Sequence, residues 1–138
     1  MSEVVRQSWW RWVVFIGIAY AVIGVCFALP ANHVISWRLA AWVASGALYA
    51  THLAHENFRL RNSPLATAAH VGSAVAIGGF GLAVAATIHS FLVAPNYDRS
   101  RFIVALIVWP LLIGVPALVV AFVISVVMRY LRPTISRV

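Results

Sequence analysis

The chain has no lysine, one cysteine and three acidic residues, Glu3, Glu56 and Asp98, in 138 positions. The lone Cys26 excludes an intramolecular disulfide. No acidic residue falls in the middle of an apolar run, and no catalytic motif is present. Charged residues make up 9% of the chain against 63% hydrophobic, with a mean hydropathy of +0.94. That balance lies outside the range of soluble globular domains and points to an integral membrane protein.

The formal net charge of +7 comes entirely from arginine. A nucleic-acid binder would need a folded polar domain to carry its basic face, and the composition leaves no room for one. The charge is therefore read as topology. A span needs about 20 residues, because a helix rises ~1.5 Å per residue across ~30 Å of hydrocarbon, so the chain holds about four.

The expected spans are residues 12–29, 35–53, 65–93 and 102–128. All should be helices, because an apolar bilayer offers backbone groups no other partner. The amino-terminal run is expected to be retained: Ala28-Leu29-Pro30 is a poor signal cleavage site, and Val25 spoils a lipoprotein box before Cys26. Seven arginines (Arg6, Arg11, Arg59, Arg61, Arg129, Arg132, Arg137) then fall on one side and three (Arg38, Arg99, Arg101) on the other. By the positive-inside rule both termini and the 57–64 loop are cytoplasmic.

Trp9, Trp10 and Trp12, interleaved with Arg11, read as an interfacial anchor; Trp37, Trp42 and Trp109 read as its counterpart opposite. Small residues recur at helical spacing in three spans: Gly17, Ala21, Gly24, Ala28; Ala40, Ala44, Ala47, Thr51, Ala54; and Gly72, Ala76, Gly79, Ala83, Ala86, Ser90. Such faces let helices approach closely where no hydrophobic effect drives them together. The expected fold is all-α: one domain over residues 1–138, a compact up-down bundle of four transmembrane helices. Pro110, Gly114 and Pro116 should kink the fourth helix.

Chemistry concentrates in "ATHLAHENFRLRNSP", residues 50–64. Arg38, Trp42, Ser45, Tyr49, His52 and Glu56 recur at spacings of three and four and share one face of the second helix. Thr67, His70 and Ser73 share a face of the third, with His70 at the depth of His52. Three chemistries suit this group. A divalent metal would take His52, His55, Glu56 and His70, although "HLAHE" does not place its glutamate between the histidines as zinc proteases do. Haem b would take His52 and His70 as axial ligands, with His33 and His89 for a second haem. A proton or ion path would use Tyr49, His52, Glu56 and His70, since ionisable groups at spans are functional candidates. Against these stands a structural reading: helix-end polar groups satisfying one another, with Glu56 and Arg59 as an i,i+3 pair and Ser63-Pro64 starting the third helix.

The leading expectation is a small non-catalytic protein of a bacterial inner membrane, bound by lipid. It would act as a homo-oligomer or as an accessory subunit of a larger membrane complex. The alternatives are a haem- or metal-binding redox protein and a small channel or transporter.

Overall fold

The computed structural model describes residues 3–28, 35–93 and 99–131. They form four helices: α1 (Glu3–Ala28), α2 (Ile35–Ala54), α3 (Pro64–Val93) and α4 (Arg99–Leu131), with a wide helical turn, His55–Arg59, continuing α2. Among the described residues three helical segments are long and apolar enough to cross a membrane: Trp9–Phe27, Pro64–Val93 and Phe102–Leu131. This makes a multi-pass membrane protein. α2 is the least apolar of the four and is not among those three. α4 continues as one helix through Pro110 and Pro116.

α3 is the centre of the bundle. It packs along α4 and α1, while α2 packs on α1 and touches α3 less. The small residues explain this. Gly17, Ala21 and Gly24 of α1 lie on α3: a methyl added at Gly17 would sit 2.6 Å from the Ile77 side chain, and one at Gly81 would sit 2.7 Å from Ala21 Cβ. On another face of α3, Gly72 and Ala76 receive Leu118 and Gly114 of α4, with a methyl at Gly72 only 3.1 Å from the Leu118 Cα. Close backbone approach on two faces leaves α3 lined by Gly and Ala, the packing expected where dispersion rather than hydrophobic burial holds helices together.

Two small cores stabilise the packing. Val13, Ile16, Tyr20 and Ala74 join α1 to α3, with Leu48 and Tyr49 of α2 against them. Leu53, Ala68, Val71 and Ala121 join α2, α3 and α4 near the α2–α3 turn. There the Tyr49 hydroxyl donates to the Ala117 carbonyl at 2.7 Å, tying α2 to α4. The large apolar side chains turned outward, such as Phe15, Ile107 and Leu111, are those a lipid environment would cover.

Candidate functional site

The turn after α2 decides what becomes of the polar cluster. From His55 to Arg59 the helix widens, and the Leu60 N–H donates to the His55 carbonyl, five residues back, at 3.1 Å. Single wide turns of this kind are rare and shift the register of the residues after them. The chain then reverses: Arg61 takes a left-handed φ of 51° and the Asn62 N–H donates to the Glu56 carbonyl at 3.2 Å. Ser63 caps α3, its Oγ accepting the Ala66 N–H at 3.2 Å, and Pro64 opens the helix.

Glu56 ends up 1% exposed. Its Oε2 accepts a hydrogen bond from the Asn62 side-chain amide and lies 3.0 Å from His70 Nδ1. Its Oε1 lies 3.7 Å from His52 Nε2, one helical turn before it. That is beyond hydrogen-bond length but within reach of charge attraction. Trp9 of α1 stacks flat on the His70 ring, with centroids 4.9 Å apart and planes 12° off parallel. Beside this group Asn57, also buried, donates to the Leu53 carbonyl (2.9 Å) and to Ser125 Oγ of α4 (3.0 Å). All four helices thus contribute a side chain to one end of the bundle.

The electrostatics follow from the geometry. Glu56 sits in the turn, outside the membrane-spanning segments. Burial pushes its carboxyl up, but the His52, His70 and Asn62 side chains more than reverse this and bring it down from the usual 4.5 to about 2. The group is a buried carboxylate held charged by its neighbours. In contrast, both ring nitrogens of His52, the Tyr20 hydroxyl and Thr67 Oγ1 are buried without a hydrogen-bond partner among the described residues. Groups of this kind are ordinarily satisfied by internal water.

The structure brings His52, Glu56 and His70 together and places Tyr49 one turn before His52, on Ala117. It does not bring in His55, whose ring lies against Trp12 at 5.6 Å. His55 stands apart from the other three because it lies about 100° around the helix from Glu56, on the side of α1. Among the described residues no group of three or more His, Cys, Asp or Glu is arranged to hold a metal ion. Nor do the residues fit a haem: axial ligands must face each other across the macrocycle, whereas His52 and His70 converge on one carboxylate. Of the second histidine pair, His89 is exposed and His33 lies outside the described residues. Glu56 pairs with histidines, and Arg59 is exposed.

Four participants were not legible in the sequence. Asn57 and Asn62 looked like loop residues, and Trp9 looked like an interfacial anchor. Ser125 is a lone hydroxyl in an apolar run, and that isolation was its one available signal. No protein family, no curated protein and no solved structure matches the chain.

Proposed function

We propose that this chain is a small non-catalytic membrane protein that works as a homo-oligomer or as an accessory subunit of a larger membrane complex. We place it in a bacterial inner membrane, with the termini and the α2–α3 turn on the cytoplasmic side, from the arginine distribution. The observation that carries the association is the outward face of α2. Gly46, Ala47, Ala50 and Thr51 are exposed, and nothing lies within 4 Å of a methyl added at Gly46. The least apolar helix thus turns these four small residues away from its own bundle, the surface a neighbouring helix would pack on.

The Glu56 cluster fits this reading as a clasp. Its carboxylate is turned inward, Oε2 onto Asn62 and His70 and Oε1 toward His52, and it joins elements of the chain to one another. Cross-linking tests the association. Gly46→Cys in a Cys26→Ser background, its thiol labelled with a benzophenone maleimide, should photo-cross-link in native membranes, to a second copy or to a partner subunit. Val119→Cys, exposed on α4, should not. Absence of any Gly46→Cys adduct would sink the proposal.

One observation favours a second reading, a proton path. The unpartnered nitrogens of His52, which lies 3.7 Å from Glu56 at its Nε2, are placed to hold water beside that carboxylate. Proton uptake by vesicles containing the wild type, lost in His52→Phe, would support it; equal leak in both would remove it.

A further inference from the structure

Between α2 and α4, on the α1 side, the bundle encloses a partly open cleft of about 520 Å³. It lies toward the end opposite the Glu56 clasp, because its α2 residues, Arg38 to Ser45, precede Tyr49. Its lining is almost wholly apolar and includes Phe27, Trp42, Leu82, Trp109 and Ile113. The exceptions are Arg38, in the first turn of α2, and Ser45, about 10 Å further along at ~1.5 Å per residue. At this end α1 still packs on α3, and Phe27 of α1 meets Trp37 of α2, but a groove is left between α2 and α4.

We infer that the cleft is a binding site for one anionic membrane lipid, its acyl chain between α2 and α4 and its phosphate on the Arg38 guanidinium. Three observations support it. First, Arg38 is exposed and no carboxylate among the described residues pairs with it. A cation at a membrane surface without a protein partner attracts anionic headgroups. Second, the volume suits a small ligand: about 520 Å³ falls within the ~300–1,000 Å³ of ligand pockets. Third, the charge sits at one end and the apolar lining beneath it, the polarity of a lipid. The cleft face of α2 is also distinct from its outward face: Arg38, Trp42 and Ser45 lie about a third of a turn from Gly46, Ala47 and Ala50. Lipid binding and oligomerisation are therefore separable.

Trp42 and Trp109 line the cleft, and they report on it once Trp9, Trp10, Trp12 and Trp37 are changed to Phe. The full chain is reconstituted in phosphatidylcholine bilayers with a small fraction of either phosphatidylglycerol or phosphatidylcholine brominated on its acyl chain, and tryptophan quenching is compared. One well-placed basic residue is worth about 1 kcal/mol toward an anionic lipid, so the brominated anionic lipid should quench as though enriched about fivefold. The excess should persist in Arg38→Lys and vanish in Arg38→Gln. It should also vanish in Ser45→Phe, which fills the slot and leaves the charge. Equal quenching by the two lipids with Arg38 and Ser45 intact would overturn the assignment. So would an excess that survives both Arg38→Gln and Ser45→Phe.

Discussion

Replacing Glu56 with Gln keeps the shape of the side chain and removes its charge, so it isolates the electrostatic part of the clasp. A carboxyl held at about 2 in the folded protein, against 4.5 unfolded, contributes at most about 3.5 kcal/mol at pH 7, at ~1.4 kcal/mol per pH unit. The turn lies at the end of the bundle, where nearby water weakens such pairs, so we expect a cost of about 2 kcal/mol. The sign is that of a depressed carboxyl: the stabilisation is complete above 4.5 and is lost as pH falls through 2. Unfolding by a denaturing detergent, followed by tryptophan fluorescence in the two proteins side by side, measures the gap. At pH 7 the gap should be about 2 kcal/mol, and at pH 3 under half of that, because most of the carboxylate's advantage is gone there. Comparing the pair at each pH cancels the titrations they share. A gap that stays the same from pH 7 to pH 3, or no gap at pH 7, would refute a charged clasp.

The packing and hydrogen-bond claims can be checked on the same assay. Gly72→Ala forces a methyl to 2.7 Å from Leu118 Cβ and should cost about 1–3 kcal/mol by overpacking, whereas Gly46→Ala meets open space and should be neutral or stabilising by up to about 1 kcal/mol. Ser125→Ala removes the acceptor of a buried Asn57 hydrogen bond and should cost about 1 kcal/mol, as should Ser63→Ala at the start of α3. Similar melting of Gly72→Ala and Gly46→Ala would contradict the α3–α4 packing, and an unchanged Ser125→Ala would contradict the tie to α4. His70→Ala removes the ring stacked on Trp9 and should shift tryptophan emission to the red; an unchanged spectrum would argue against the stack.

Much of this architecture could be read from residue spacing, because membrane packing writes itself in small residues. Gly17, Ala21 and Gly24 mark the α1 contact, and Gly72 and Ala76 mark the α4 contact. The α1-facing side of α3, with Gly78 and Gly81, was hidden because small residues surround that helix and no single periodicity stands out. His52 and Glu56 were legible as an i,i+4 pair, and His70 from its matching depth. What the spacing could not show was the widened turn at His55. The sequence reads Asn57 as the start of a polar loop, but the i→i+5 hydrogen bond keeps the chain helical to Arg59 and buries Asn57 against Ser125. The opening at the far end was equally invisible, since it depends on how the helices diverge.

If the outward face of α2 carries the chain into an assembly, the mass of the particle in a lipid nanodisc will show it. We expect more than one copy of the 15.1 kDa chain, or one copy with another polypeptide, reduced to a lone chain when Gly46 and Ala50 are both changed to Ile. A wild-type particle holding a single chain and no other polypeptide would rule that role out.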